Sequence, residues 1–207
     1  AGHPLDRAIT GADGLVDQVL HLPAIIVRVV APQAPEVILQ QTQASRGEPA
    51  WRAFMARFPT IEALASAPAA DVLRQWSGLG YNRRALNLQR AAKAIVEQYG
   101  GHVPDDLHAL EALPGVGPYT ARAVAAIAYG RPVGPVDTNV RRVLGRVVAG
   151  HGGPRDPGQP MPSRDLQALA DAVVPATRPA DWTAALMDVG ATICSPLRPD
   201  CDACPVA

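Results

Sequence analysis

Leu113-Pro114-Gly115-Val116-Gly117-Pro118-Tyr119-Thr120-Ala121 lies between two stretches of helical character. Two glycines one residue apart let a backbone approach another molecule closely. Pro118 stands where proline is favoured, at the first position of a helix. The open N–H groups of such a turn and helix start make a ready anion site, and phosphate is the obvious anion. An ordinary αα-hairpin with a glycine turn has the same outline.

Outward from the turn, Asp105–Ala112 and Pro118–Tyr129 read as the flanking helices, with Val124, Ala125 and Ala128 on one face of the second. Toward the C-terminus, Thr138–Val148, Asp165–Val174 and Asp181–Val189 read as helices, and the Gly/Pro-rich residues 149–162 as a loop. Toward the N-terminus, Arg83–Tyr99 is a long helix, with Ala85, Leu88, Ala92 and Ile95 at helical spacing and Gly100-Gly101 as its stop. Trp51–Phe58, Ile61–Ala67 capped by Thr60, and Pro68–Trp76 precede a sharp turn at Gly78-Leu79-Gly80. A helix runs from Glu36 to about Ser45, and residues 14–20 have weaker helical character. Ile25, Ile26, Val27, Val29 and Val30 look strand-like, or form a buried irregular segment or distorted helix. No strand pair and no repeat is evident, so the class is all-α with many short helices.

With 207 residues, 48% of them hydrophobic, the chain can bury one large core or two small ones. A formal net charge of zero excludes a protein that binds nucleic acid mainly by bulk charge, though not one with a local patch. No stretch reaches the ~18 apolar residues of a membrane span. Asp6, Asp13 and Asp17 ahead of the apolar run argue against a signal peptide. The expectation is a soluble, intracellular protein.

Four further features carry chemistry. Asp137 lies at the expected N-terminus of a helix, where an aspartate is usually an N-cap, and equally where a carboxylate can face a cleft. Arg141, Arg142 and Arg146 follow it and give either a basic patch or a solvated face. Glu36 opens the otherwise uncharged Glu36-Val37-Ile38-Leu39-Gln40-Gln41-Thr42-Gln43, as a first-turn residue or as a partly buried acid of raised pKa. Cys194-x6-Cys201-x2-Cys204 is three quarters of an iron–sulfur ligand set, with zinc as the other reading.

The hairpin Leu113–Gly117, Val136-Asp137-Thr138-Asn139-Val140 and the terminal cysteines together resemble the helix-hairpin-helix DNA glycosylases of the endonuclease III superfamily. Glu36–Gln43 and Trp76-Ser77-Gly78-Leu79-Gly80-Tyr81 resemble its adenine-removing branch, which acts on adenine opposite 8-oxoguanine or guanine. The resemblance covers about Glu36 to Cys204. It implies two helical lobes: a six-helix barrel over residues 35–140, and a second lobe from residues 1–34 and 141–207 that ends in a 4Fe–4S loop. It also implies base flipping from double-stranded DNA carrying a mismatch or lesion, a monomer, and a cytoplasmic, nucleoid-associated location in a bacterium.

By this resemblance Glu36 is the acid that protonates the departing base. Asp137 stabilises the oxocarbenium-like sugar, and Asn139 supports Asp137. Gln41 and Tyr81 wedge into the duplex around the flipped base, while Leu113, Gly115, Val116, Gly117 and Thr120 grip its backbone. Tyr119 stands where bifunctional relatives carry a Schiff-base lysine, which a phenol cannot replace. Cys194, Cys201 and Cys204 are metal ligands, with the family's fourth cysteine expected beyond Ala207. The chain departs from the family at Leu22-Pro23-Ala24-Ile25, where Leu-Pro-Trp-Arg is usual and helps to form the base pocket. A glycosylase for thymine or uracil opposite guanine, and a non-catalytic DNA-binding relative, are the other readings.

Overall fold

The structure, a computed structural model, describes residues 52–77, 81–148, 150 and 161–206. The expectations for residues 14–20, for the segment around Ile25, for the helix from Glu36 with Gln41, for the turn at 78–80 and for most of the loop 149–162 fall outside them. Among the described residues every regular element is helical and none is a strand. No described helix is long and apolar enough to cross a membrane.

The elements are α1 (52–57), α2 (Ile61–Ser66), α3 (Ala69–Gln75), α4 (Asn82–Tyr99), α5 (Leu107–Glu111), α6 (Pro118–Tyr129), α7 (Thr138–Val147), α8 (Ser163–Val173) and α9 (Pro179–Asp188), which continues into a π-helical turn, Val189–Ile193. The described residues fall into two compact units, one running to Val124 and the other starting at Ala125.

In the first unit α4 packs against α2 and α3, burying Ala85, Leu88, Ala91, Ala92 and Ile95. Their spacing is the apolar stripe visible in the sequence. Phe54 packs edge-on against Phe58 at 5.0 Å and against Trp76 at 5.7 Å, and all three rings are buried. Gln89 is buried too, and its Nε2 donates to the carbonyls of Ala67 at 2.5 Å and Leu64 at 3.4 Å. It caps the end of α2 from α4, sharing Leu64 O with the Ala67 N–H. Thr60 caps α2 as expected, its Oγ1 accepting from the Ala63 N–H at 3.2 Å. Gly100 closes α4 in the left-handed region (φ 59°), where its missing Cβ removes the strain.

In the second unit α7 packs against α8, α9 and the π-turn, with Val140, Val143, Leu144, Leu166, Ala170 and Met187 buried. The expected starts at Asp165 and Asp181 are each two residues late. The helices begin at Ser163 behind Pro162 and at Pro179 behind Arg178, and both aspartates sit in the first turn, where the helix dipole favours them. The helix expected to end at Val189 widens into the π-turn instead, where the Cys194 N–H donates to Val189 O. On α6 the buried set is Ala121, Ala123, Val124, Ala125 and Ala126, wider than the face expected from Val124, Ala125 and Ala128. Ala128 itself is half-buried.

Candidate functional site

Two successive turns lead into the hairpin: the Leu113 N–H donates to Leu110 O at 3.1 Å, and the Val116 N–H donates to Leu113 O at 3.0 Å. Leu113 and Val116 are buried, and so is Thr120 one turn into α6. Their side chains therefore anchor the turn from the protein side, and what faces outward is backbone. Gly115 and Gly117 are exposed, and the Gly117 carbonyl accepts from the Ala121 N–H at 2.9 Å, which starts α6. The first turn of α6 then presents N–H groups with no acceptor inside the helix, the local geometry that holds a phosphate. Tyr119 is half-buried at the second position of the same helix.

Gly115 is required twice over. Its φ is +80°, and a Cβ there would lie 2.7 Å from Asn87 Cβ on α4. Gly117 meets neither limit, having open space around it. Gly115→Ala is expected to cost about 1–3 kcal/mol in unfolding free energy, because the turn must shift to relieve the contact. Gly117→Ala is expected to leave chemical denaturation unchanged within about 0.5 kcal/mol. Equal midpoints for the two variants would show that the turn bears no such strain.

Tyr81 is one of two non-glycine residues among those described with a left-handed φ, at 47°, and it is 74% exposed. The Arg84 N–H donates to Tyr81 O at 2.8 Å, opening α4. The Arg84 guanidinium carbon lies over the Trp76 ring at 5.5 Å and over the Tyr81 ring at 5.7 Å. Burial pulls the Arg84 pKa below its ordinary value while Tyr81 opposes that shift. Arginine stays charged regardless.

In the second unit the connection into α7 is pinned from α8. The Gly134 N–H donates to Asp171 Oδ1 at 2.9 Å, and Gln167 Nε2 donates to Gly134 O at 2.7 Å. A Cβ on Gly134 would meet the Ala170 backbone at 2.8 Å, so only glycine allows this approach. The connection delivers Asp137 to the N-cap of α7, where Oδ1 accepts from the Val140 N–H at 2.7 Å. Asn139 Nδ2 donates to Asp137 Oδ2 at 3.4 Å, so these two expected residues do meet. Burial pushes the Asp137 pKa above the ordinary carboxylate value, against the Val140 and Asn139 hydrogen bonds and the Arg142 charge, which hold it down. The N-cap role and a half-buried, charge-bearing role thus coexist at one carboxylate.

Behind Asn139 stands Arg142. Its Nη2 donates to Asn139 Oδ1 at 2.8 Å and to Gly190 O at 2.6 Å, and its Nε donates to Cys194 O at 2.6 Å. Arg146 donates to Ser195 O at 2.8 Å, to Pro196 O at 2.9 Å and to Cys194 Sγ at 3.5 Å. The arginines of α7 therefore form neither a basic patch nor a purely solvated face. Arg142 and Arg146 clasp the segment after α9, and only Arg141 is turned outward, to Ser163 Oγ at 3.2 Å. Asn139 and Arg142 lie three residues apart on α7, a spacing readable in the sequence, but the Gly190 and Cys194 carbonyls that Arg142 meets come from some fifty residues later and carry no sequence signal.

Cys194 is buried, Cys201 exposed and Cys204 half-exposed. The Cys204 N–H donates to Cys201 O at 3.2 Å, and Ser195 Oγ accepts from the Arg198 N–H at 3.2 Å, folding the loop. Three thiols are chemically apt for iron or zinc. Among the described residues, however, no three Cys, His, Asp or Glu side chains gather as a metal-binding group. As placed, Cys194, Cys201 and Cys204 do not gather into one ligand set.

Residues 34–157 match the family model described as HhH-GPD superfamily base excision DNA repair protein. The chain belongs to the HhH-GPD superfamily. This superfamily chain is 47% identical over 172 residues to an adenine DNA glycosylase of Mycolicibacterium smegmatis, covering 83% of the chain and 57% of that protein. It is 44% identical over 180 residues to the adenine DNA glycosylase of Homo sapiens, covering 86% of the chain and 32% of that protein. The chain thus spans about half the length of the first relative and a third of the second. Among solved structures, a thermostable thymine-DNA glycosylase aligns with a TM-score of 0.74 at 27% identity, over 98% of this chain and 89% of that one. A trapped endonuclease III–DNA covalent intermediate aligns with a TM-score of 0.68 at 22% identity, over 98% and 90%, which bears on the fold alone. The all-helical HhH-GPD architecture expected from the hairpin is the one observed.

Proposed function

We propose that this HhH-GPD protein is a monofunctional DNA glycosylase that removes adenine mispaired with 8-oxoguanine or guanine in duplex DNA. The observation that carries it is the 44–47% identity, over 83–86% of the chain, with proteins named adenine DNA glycosylase. In this reading the hairpin amides at Gly115, Gly117 and Thr120 grip a phosphate, with Leu113 and Val116 as its apolar footing. The target nucleotide flips out of the stack, while Tyr81 and Gln41 fill the space around it. Glu36 protonates the adenine as the N-glycosidic bond breaks. Asp137, supported by Asn139, stabilises the positive charge on the sugar and helps to bring in water, the division of labour of paired carboxylates in glycoside cleavage. Glu36 and Gln41 take these roles from the resemblance of Glu36–Gln43 to the adenine-removing branch. The protein acts as a monomer on cytoplasmic, nucleoid DNA.

A second reading, removal of thymine or uracil opposite guanine, draws on the likeness to the thymine-DNA glycosylase and on the unusual Leu22-Pro23-Ala24-Ile25. Single-turnover base release from duplexes carrying A opposite 8-oxoguanine, A opposite G, T opposite G and U opposite G separates the two. Fastest release from the adenine duplexes is expected. Release confined to thymine or uracil would transfer the proposal to the second reading, and tight binding without any release would make the protein a DNA-binding relative.

Tyr119 makes a further outcome specific. A phenol forms no imine with the sugar aldehyde, so borohydride is expected to trap no protein–DNA adduct, and product strands should break only on heating in alkali. A covalent adduct would show that another amine performs a lyase step. The 4Fe–4S cluster is proposed from the order Cys194, Cys201, Cys204 and the donor chemistry. A purified full-length protein that is brown in visible light supports it, and a colourless one does not.

A further inference from the structure

Tyr81 combines two properties that folding alone does not favour. Its left-handed backbone is strained for a bulky L-residue, and its ring is 74% exposed. Strain of this kind survives where surrounding structure enforces it and where function uses it. An exposed tyrosine ring also loses its rotamer freedom when it stacks on a base. The structure supplies a restraint for that ring in Arg84. Trp76 is 1% exposed and is held edge-on by Phe54, so its ring is a fixed wall of the core. The Arg84 guanidinium lies over that wall and over the Tyr81 ring at nearly equal distances, 5.5 and 5.7 Å. A planar cation is the group that can face two aromatic rings; the compact ammonium of lysine cannot do so with a flat surface. Order is thereby passed from Phe54 and Trp76 to a ring standing in solvent.

We propose that Arg84 is a positioning residue: lying over the buried Trp76 and the exposed Tyr81, its guanidinium holds the Tyr81 ring in the orientation in which it stacks on a nucleobase of the duplex. The inference rests on the reading of Tyr81 as a DNA-wedging residue. Arg84 itself acts through the tyrosine and not on a phosphate.

The test is a double-mutant cycle on the full chain, using a duplex with a tetrahydrofuran abasic analogue opposite 8-oxoguanine. Arg84→Met is expected to weaken binding about two- to fivefold, the fold-change of a lost exposed cation–π contact. Arg84→Lys keeps the charge without the flat face and is expected to behave like Arg84→Met; it also serves if the methionine variant melts early. Neither change should affect binding further in a Tyr81→Ala background, and the slope of log affinity against log salt should stay as in the parent. A persisting effect in the Tyr81→Ala background, or a slope reduced by about one, would overturn the proposal by making Arg84 a phosphate contact. Ring relaxation of carbon-13-labelled Tyr81 without DNA is the independent readout, and loss of ring order in Arg84→Met is expected. Unchanged ring order overturns the positioning role. Lost ring order together with unchanged binding by Tyr81→Ala overturns the proposal at a different point, the wedge reading itself.

Discussion

Asp137→Asn is expected to slow single-turnover base release by about a hundredfold to ten-thousandfold while the protein stays folded. The substitution is chosen because asparagine caps a helix about as well as aspartate. Asp137 Oδ1 accepts from the Val140 N–H at 2.7 Å, and an amide oxygen accepts equally well. If N-capping were all that Asp137 did, Asp137→Asn would leave base release unchanged. The negative charge is what the amide lacks, and the negative charge is what an oxocarbenium-like sugar needs. A variant with parental activity would remove Asp137 from the chemistry.

The same variant has a pH signature. Burial raises the Asp137 pKa above its ordinary 3.8, so the folded state holds this proton to a higher pH than the unfolded chain does. That contribution to stability is complete in acid and is lost as the pH rises through the folded pKa. Asparagine does not titrate. Relative to the parent, Asp137→Asn should therefore gain stability between acid and neutral pH, and denaturant midpoints measured across that range check the sign. A gap that narrows toward neutral pH would mean that the hydrogen bonds and Arg142 outweigh the burial.

Gly190→Ala is expected to cost about 1–3 kcal/mol of stability and roughly a hundredfold in base release. A Cβ on Gly190 would lie 2.6 Å from Asn139 Cβ and 3.2 Å from its Cα, short of the roughly 3.5–4.0 Å at which carbons rest. The π-turn must then retreat from α7. Gly190 O accepts from Arg142 Nη2 at 2.6 Å, and the same Nη2 holds Asn139 Oδ1 at 2.8 Å. Retreat loosens Arg142, then Asn139, then the Asn139 contact to Asp137. Loss of stability with full activity would show that Asp137 is held by its cap alone.

Much of the helical order was legible because its signals are local. Thr60 and Asp137 cap the helices they were expected to open or lie beside, and Gly100 stops α4, since each acts on backbone groups within a turn of itself, whereas the helix expected from Asp105 begins two residues later at Leu107, with Asp106 as its cap. The starts at Asp165 and Asp181 went astray because an acid is equally at home in the first turn and at the cap. The π-turn was illegible: nothing near Val189 announces it, and its glycine answers to Asn139, fifty residues earlier.

By itself the sequence determined the all-helical class, the glycine turn between two helices, and the carboxylate at the head of α7. Periodicity, caps and turn chemistry act over a few residues and survive in any one-dimensional reading. Only the tertiary structure decided what the arginines of α7 do and how Tyr81 is held. Arg142 and Arg146 read as a charged surface until the carbonyls of Gly190, Cys194, Ser195 and Pro196 came within hydrogen-bonding reach. Tyr81 carried its expected wedging role by resemblance alone, and the Arg84 guanidinium beside it and Trp76 is visible only in the structure. A side chain's partners are fixed by packing between distant segments, and packing is what a linear pattern leaves out.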